Sequence, residues 1–138
     1  MSFLLDTNVL SELRKGKRCN EHVAAWFAAA DDEDLYLSVV VVGEIRQGIE
    51  AVRRRDPRAA GALERWLNQL TRQHEARILV VDRQIAERWG ELNALGRLPA
   101  IDGLLAATAL VRGLTLITRN VKDVARTGVL YVNPFVGA

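Results

Sequence analysis

Apolar and polar positions alternate along this chain in two different patterns. Short apolar runs, which are typical of buried strands, cover residues 3–5, 35–38, 78–81, 114–118 and 129–132. Elsewhere, apolar residues recur every three or four positions, which predicts helices over residues 9–13, 23–30, 40–54, 57–70, 82–96 and 101–113. Because strands alternate with helices, we expect a single α/β domain over residues 1–138. It should be a three-layer α/β/α fold with a mostly parallel central sheet.

Directly after the second predicted strand, the strand propensity of the residues and the spacing of the apolar positions favour different structures. Four consecutive valines there favour a strand. However, Val41, Ile45 and Ile49 follow one another at helical spacing. We therefore predict a helix from about Val40 to Arg54, with Ser38 available as its N-cap.

The composition limits the class of protein. With 138 residues, 49% of them hydrophobic, the chain can bury one core. It contains no apolar stretch of about 18 residues and no signal-peptide pattern, so we expect a soluble cytoplasmic protein that does not enter the membrane. Cys19 is the only cysteine and there are two histidines. A Cys/His zinc site is therefore not expected, and any metal should bind mainly to carboxylates.

The net charge gives little information by itself. It is +2, from 19 basic and 17 acidic residues, which is too small to mark the whole chain as a nucleic-acid-binding protein. Most basic residues are arginines, whose planar group suits phosphate and carboxylate. The densest arginine stretch could contact phosphates or simply form a solvated helix end. It consists of Arg46, Arg53, Arg54, Arg55 and Arg58.

Four carboxylates lie beside apolar segments instead of on polar faces. Asp6 follows the first strand, Glu44 lies near the start of the valine-rich helix, Asp102 opens a helix rich in leucine and alanine, and Asp123 comes shortly after the strand 114–118. Each residue also has a local explanation. The two that precede or open helices could stabilise helix N-termini, the glutamate could pair with a neighbour, and the last aspartate could be a turn residue.

Taken together, these acids favour a shared site. The carboxyl ends of parallel strands meet at one edge, where open α/β sheets bind their ligands. Asp6, Asn120 and Asp123 follow strands at that edge, and Glu44 and Asp102 lie in early helix turns that can face it. Carboxylates gathered there would repel one another unless a cation neutralised them. Oxygen ligands of this kind suit Mg²⁺ or Mn²⁺.

Five sequence blocks resemble a known family in order and spacing. They are similar to the blocks of PIN-domain ribonucleases, specifically the VapC/FitB-like toxins of bacterial type II toxin–antitoxin pairs. The resemblance covers essentially the whole chain, and five blocks in register are more specific than "DTN" or "IDG" alone. The blocks read "LLDTNVLSEL", "LSVVVVGEIRQGI", "PAIDGLLAATALVRG", "LTLITRNVKDV" and "VLYVNPF".

The resemblance implies a reaction and a set of site residues. The reaction is metal-dependent hydrolysis of RNA phosphodiester bonds. Asp6, Glu44 and Asp102 match the family's three acidic metal-site positions. Many members carry a fourth acid two residues after the strand-end threonine. This chain has Asn120 there and Asp123 three residues further on, so which of the two completes the site stays open.

The resemblance also implies how these residues act. Asp6 and Asp102 would hold Mg²⁺ or Mn²⁺, and Glu44 would orient or deprotonate a water molecule. Other polar residues could support the site through hydrogen bonds or serve only in turns and caps. They are Thr7, Asn8 and Thr118.

The expected partners come from the same resemblance. They are an RNA substrate, a cognate antitoxin and a second copy of the chain, with operator DNA bound only through the antitoxin. The apolar faces of the helices on either side of Pro57 could contact an antitoxin segment or a second subunit.

Two other classes remain possible from the sequence. In a haloacid-dehalogenase-type phosphatase, a second aspartate follows the strand-end aspartate by two residues, but here that position is Asn8. The other alternative is a non-catalytic interaction module that keeps the fold without the chemistry. Intact acids at Asp6, Glu44 and Asp102 favour the enzyme, and titration with Mn²⁺ separates the two.

Overall fold

The fold is a parallel sheet with helices packed on it, as a computed structural model shows for residues 1–137. Ala138, the last residue of the predicted domain, lies outside the described residues. The strands are β1 (Phe3–Leu5), β2 (Leu35–Ser38), β3 (Ile78–Leu79), β4 (Thr115–Ile117) and β5 (Tyr131–Val132). The helices are α1 (Thr7–Leu13), α2 (Glu21–Ala29), α3 (Val39–Arg53), α4 (Pro57–Gln73), α5 (Arg83–Leu95), α6 (Ala100–Arg112) and α7 (Val121–Val124).

The sheet has the strand order β3-β2-β1-β4-β5, and every pairing between its strands is parallel. In the middle of the sheet, Leu4 lies opposite Tyr36 of β2 and Leu116 of β4. All five strands therefore end at the same edge, which we call the carboxyl edge. This confirms the predicted α/β class with a parallel central sheet.

The core lies on both faces of β1 and β4, two of the three inner strands, which we call the central strands. Leu4, Leu5, Leu116 and Ile117 are almost completely buried. The helices cover them with fully buried aliphatic residues that include Val9, Val41, Ile85 and Leu105. The buried run in each central strand explains why both read as continuous apolar segments in the sequence.

Local capping explains where several helices begin. The side chain of Asn20 accepts hydrogen bonds from the backbone N–H groups of His22 and Val23, and Ser38 accepts one from Val40. Asp56 and Asp82 cap α4 and α5 in the same way. Because Ser38 caps the helix, the valine-rich segment is helical from Val39 onward. The prediction was correct to within one residue.

The two outer strands are shorter than the sequence suggested. The apolar run 78–81 pairs only over Ile78–Leu79, and Val80 is 60% exposed. The run 129–132 pairs only over Tyr131–Val132. Both strands lie at an edge of the sheet and have one neighbour each, so fewer backbone hydrogen bonds and less burial hold their ends.

The apolar faces of α3 and α4 pack inward and do not form an open patch. From 41 to 70, the large hydrophobic residues are buried or partly buried, whereas Val39, just before them, is 38% exposed. Trp66 and Leu70 reach an open cavity of about 300 Å³ that also borders α1 and α2. No helix within residues 1–137 is long and apolar enough to span a membrane.

Candidate active site

Asp6 and Thr118 are brought together at the carboxyl edge by two adjacent strands. Asp6 directly follows β1, and its backbone N–H donates a hydrogen bond of 2.9 Å to the carbonyl of Ile117 in β4. The Thr118 hydroxyl donates to the Asp6 Oδ2 atom at 2.7 Å. Asp6 is 5% exposed and Thr118 is fully buried. The strand pairing therefore fixes the position of both side chains.

Asp6 is also the N-cap of α1. Its Oδ1 atom accepts a hydrogen bond of 2.6 Å from the backbone N–H of Thr7, and Asn8 Nδ2 donates to its Oδ2 atom at 3.3 Å. Burial raises the pKa of Asp6 above its ordinary value, and the charge of Glu44 adds to this, while the hydrogen bonds from Thr118, Thr7 and Asn8 oppose it. The capping role and the site role thus belong to the same carboxylate.

Glu44 reaches the same edge from α3. Because α3 begins directly after β2, its early turns lie at the carboxyl ends of the strands. The carboxylate of Glu44 accepts a hydrogen bond from the Thr7 hydroxyl. Thr7, the first residue of α1, therefore connects this helix to Glu44. Glu44 is partly buried and is not turned into bulk solvent.

Asp102, Asn120 and Asp123 form a second hydrogen-bonded group. The Asn120 Nδ2 atom donates to Asp102 Oδ2 at 2.6 Å and to Asp123 Oδ2 at 2.9 Å. Asp102 lies in the first turn of α6, where Pro99 occupies the N-cap position, so Asp102 is not the capping residue. Asn120 thus bonds to both carboxylates, and it lies in one group with Asp123. Which of the two completes the site stays a prediction.

The two groups are coupled electrostatically. The pKa of Asp102 is raised to about 6, chiefly by burial and then by the charges of Asp6, Asp123 and Glu44, against the opposing hydrogen bond from Asn120. The negative charges of the two groups therefore act on one another. Within residues 1–137, however, no three carboxylate, histidine or cysteine side chains already form a closed set of metal ligands.

The arginines of α3 are largely neutralised by their neighbours. Arg46 pairs with Glu64 at 2.6 Å and with Glu50 at 3.2 Å. Arg53 pairs with Glu50 at 2.9 Å and with Glu64 at 3.2 Å. These pairs link α3 to α4 and leave little free charge at either arginine. The other predicted contact residues are exposed at the end of α3 and the start of α4, namely Arg54, Arg55 and Arg58.

A comparison with known protein families identifies the family of the chain. The PIN domain family model matches residues 3–129. The chain belongs to the PIN domain family. The resemblance seen in the five sequence blocks is therefore confirmed, and the haloacid dehalogenase alternative is wrong. Asn8, where that alternative requires an acid, donates a hydrogen bond to Asp6.

PIN relatives match this chain over nearly its whole length. It is 34% identical to plasmid stability protein StbB of Pseudomonas syringae pv. tomato and 32% identical to toxin FitB of Neisseria gonorrhoeae, in each case over 96% of this chain and 97% of the relative. It is 31% identical to VapC ribonuclease Y4jK of Sinorhizobium fredii, over 96% of both chains.

Solved structures show the same PIN fold. The crystal structure of FitAcB from Neisseria gonorrhoeae matches with a TM-score of 0.88 at 32% identity, over 96% of this chain and 98% of that chain. A structure of FitAB bound to an IR36 DNA fragment also gives a TM-score of 0.88, at 30% identity, over 99% of this chain and 97% of that chain.

Sequence reasoning missed two features next to the predicted site. The guanidinium of Arg119 stacks on the ring of Phe135, with 4.7 Å between its Cζ atom and the ring centroid. The indole of Trp89 in α5 packs directly against Gly103, the residue after Asp102. The position of Arg119 between Thr118 and Asn120 was a usable signal, but its distant partner had no sequence pattern to reveal it.

Proposed function

We propose that this protein is a divalent-metal-dependent endoribonuclease that acts as a toxin and is neutralised by a cognate antitoxin. The coupled carboxylates of Asp6, Glu44 and Asp102 at the carboxyl edge of a PIN fold carry the proposal. The relatives named toxin FitB and VapC ribonuclease support both parts of it.

The donor set fits Mg²⁺ or Mn²⁺ in its chemistry. It consists of carboxylate oxygens whose mutual repulsion a cation would relieve, and both ions prefer oxygen ligands. Asp6 and Asp102 would hold the cation, with Glu44 and Asp123 as the further acids beside them. The chemistry that such a cation supplies is positive charge, which polarises a phosphoryl oxygen and makes a water molecule easier to deprotonate.

Side chains of this chain accept the proton of the water and hold the carboxylates in position. Glu44, held by the Thr7 hydroxyl, is the proton acceptor for the attacking water. Thr118 and Asn8 fix the Asp6 carboxylate, and Asn120 fixes Asp102. No side-chain nucleophile is required, because water attacks the phosphorus directly and the leaving oxygen takes a proton from solvent.

We propose a cognate antitoxin, a second copy of the chain, and operator DNA bound through the antitoxin as partners. A solved toxin-antitoxin complex from Klebsiella pneumoniae, 29% identical to this chain, supports the antitoxin, and the structure of FitAB bound to a DNA fragment supports the DNA. The open cavity of about 300 Å³ between α1, α2 and α4 suits an apolar antitoxin segment, since it is lined largely by hydrophobic side chains. Among them are Leu10, Leu13, Phe27, Trp66 and Leu70.

A non-catalytic PIN-like module is the second candidate. The observation in its favour is that the described residues contain no closed set of three metal ligands. Calorimetric titration of the purified chain with Mn²⁺ distinguishes the two, because an enzyme of this type should bind the ion and the Asp102→Asn variant should bind it far more weakly.

Cleavage itself is the direct test. The purified protein should cut single-stranded RNA in Mg²⁺ or Mn²⁺, and excess chelator should stop the reaction. Sequencing of cleavage sites after induced expression would define the target. Absence of metal-dependent cleavage across the cellular RNA pool, in a protein that is folded and free of antitoxin, would overturn the proposal.

A further inference from the structure

Arg119 is an exposed arginine fixed at the rim of the carboxylate site. It lies between Thr118 and Asn120, whose side chains hold Asp6 and Asp102. Its backbone N–H donates a hydrogen bond of 3.3 Å to the side chain of Asn8. Its guanidinium stacks on the ring of Phe135 with 4.7 Å from Cζ to the ring centroid. Both its backbone and its charged group are therefore positioned by other parts of the fold.

The charge of Arg119 remains available for a ligand. Within residues 1–137, none of the ion pairs includes Arg119. The positive charge of Arg119 helps to lower the pKa of Glu12, a nearby acid. The oxygens of Glu12, however, already accept hydrogen bonds from Lys15 at 3.0 Å and from the backbone of Asn20 at 2.8 Å. This distinguishes Arg119 from Arg46, which is occupied by two glutamates.

An acidic site that binds a polyanion needs a cation at a defined place. RNA phosphates approaching Asp6, Glu44 and Asp102 meet like charge, which opposes binding. A guanidinium at the rim attracts a phosphate and can hold it through two parallel hydrogen bonds. Stacking on an aromatic ring restricts the side chain in advance, so less conformational entropy is lost when the phosphate binds.

We propose that Arg119, held by Phe135, binds the RNA phosphate next to the one that is hydrolysed. The inference rests on the proposed ribonuclease function, because it names a binding residue of the same site. Arg119 contacts the substrate, and Phe135 is a positioning residue that acts through it.

Binding of RNA to a catalytically silenced protein tests the proposal separately from cleavage. In the Asp6→Asn background with Mg²⁺, fluorescence anisotropy with single-stranded RNA oligonucleotides of random sequence gives Kd over a range of salt concentrations. Adding Arg119→Gln should raise Kd about five- to tenfold and reduce the slope of log K against log salt by about 0.7, the value for one lost phosphate contact. Arg88→Gln, the same change on the exposed face of α5, should alter neither quantity.

Two further variants separate binding from a purely structural role. Phe135→Leu keeps the charge and removes the stacking, so it should raise Kd by a smaller factor and leave the salt slope unchanged. Arg119→Lys should retain most of the slope. If Arg119→Gln lowers only the melting temperature, or changes Kd no more than Arg88→Gln does, the proposal is wrong.

The outcomes for the two proposals remain distinguishable. If the wild-type protein binds RNA through Arg119 but does not cut it, the ribonuclease function fails and the binding role stands. If the parent protein does not bind RNA, the role of Arg119 fails as well. With active protein, Arg119→Gln should raise KM at least about fivefold and change kcat less than twofold.

Discussion

The two carboxylate oxygens of Asp6 have different partners. Oδ1 accepts from the backbone of Thr7 and caps α1, while Oδ2 accepts from Thr118 and Asn8. An asparagine could keep the first role, because its carbonyl oxygen caps a helix about as well. It could not keep the second, since its NH₂ group would face the NH₂ donor of Asn8 and carries no charge.

We therefore expect Asp6→Asn to separate stability from activity. Relief of repulsion with Glu44 offsets the lost hydrogen bond, so the melting temperature in chelator should be unchanged or raised. The free energy of unfolding should change by no more than about 1 kcal/mol. RNA cleavage should fall at least about 100-fold, because the site loses one of its charged ligands. Thermal unfolding and an initial-rate assay measure the two effects.

The matched control is Asp56→Asn, which changes the exposed cap of α4 away from the site. It should leave both the melting temperature and the cleavage rate close to the wild-type values. An Asp6→Asn protein that cleaves RNA as fast as wild type would contradict the role assigned to Asp6.

We expect Asp102 to make the stability of the metal-free protein depend on pH. Its pKa is raised from 3.8 to about 6 in the folded state, so the folded protein binds this proton more tightly than the unfolded chain does. The resulting stabilisation is complete below about pH 4 and is lost as the pH rises through about 6. Because Asp102 is partly exposed, we expect this effect to change the free energy of unfolding by only about 1–2 kcal/mol.

Comparison with Asp102→Asn isolates this contribution from that of the other acids. In chelator, the difference in melting temperature between the variant and wild type should grow in favour of the variant from pH 4.5 to pH 7.5. Cleavage by wild type should rise with pH through about 6, because protons compete with the cation for Asp102. If the difference in melting temperature did not change with pH, the pKa of Asp102 would not be raised in the folded protein.

At the level of elements, α5 and α6 pack closely against each other next to Asp102. A Cβ atom on Gly103 would come within 3.0 Å of the Trp89 indole, which is closer than packed atoms normally approach. The glycine therefore allows the two helices to pack closely beside the site. The Trp89 Nε1 atom is buried and has no hydrogen-bond partner among residues 1–137, so packing holds the ring in place.

Gly103→Ala should consequently disturb the site as well as the fold. We expect it to cost about 1–3 kcal/mol of unfolding free energy and to weaken Mn²⁺ binding, because α6 must shift and carries Asp102 with it. Denaturant unfolding and calorimetric titration measure these changes.

Gly90→Ala in α5 provides the opposite control. A Cβ at Gly90 would meet nothing within 4 Å, so this change should stabilise the protein by about 0.5–1 kcal/mol and leave Mn²⁺ affinity unchanged. Equal effects of the two glycine substitutions would contradict the proposed packing constraint.

At the level of the whole molecule, metal binding should be measurable as folding stability. A ligand that binds only the folded state at about 100 times its Kd adds about 2.7 kcal/mol. For a chain of this size, Mn²⁺ should raise the melting temperature by roughly 10 °C. Glu33→Gln in the exposed acidic turn 31–34 should not alter the shift, whereas Asp102→Asn should abolish it. A shift that both variants retain would indicate non-specific binding.

The assembly state is a second property of the whole molecule. From its family resemblance, we expect the purified protein to be a homodimer that captures a small antitoxin. Static light scattering at micromolar concentration gives the mass of the free protein, and a pull-down with the tagged protein identifies the partner. A monomer without a recovered partner would contradict this expectation.

Sequence by itself determined the features that depend on local hydrogen bonds and on burial within a few residues. Apolar runs identified both central strands, and Ser38, Asp56 and Asp82 marked helix starts, because a cap bonds to a backbone group two or three residues away. The strand-end position of Asp6 also followed from the sequence, because Asp6 comes directly after an apolar run. All strands of a parallel sheet end at one edge, so this position placed Asp6 where such sheets bind ligands.

Only the tertiary structure decided how side chains distant in sequence are paired. Thr118 bonds to Asp6 across 112 positions, and Arg46 is neutralised by Glu64. Arg119 stacks on a ring in the C-terminal segment. The extent of the outer strands was decided in the same way. Such contacts depend on the direction and spacing of packed elements, and these arise from the fold as a whole instead of from any local pattern of residues.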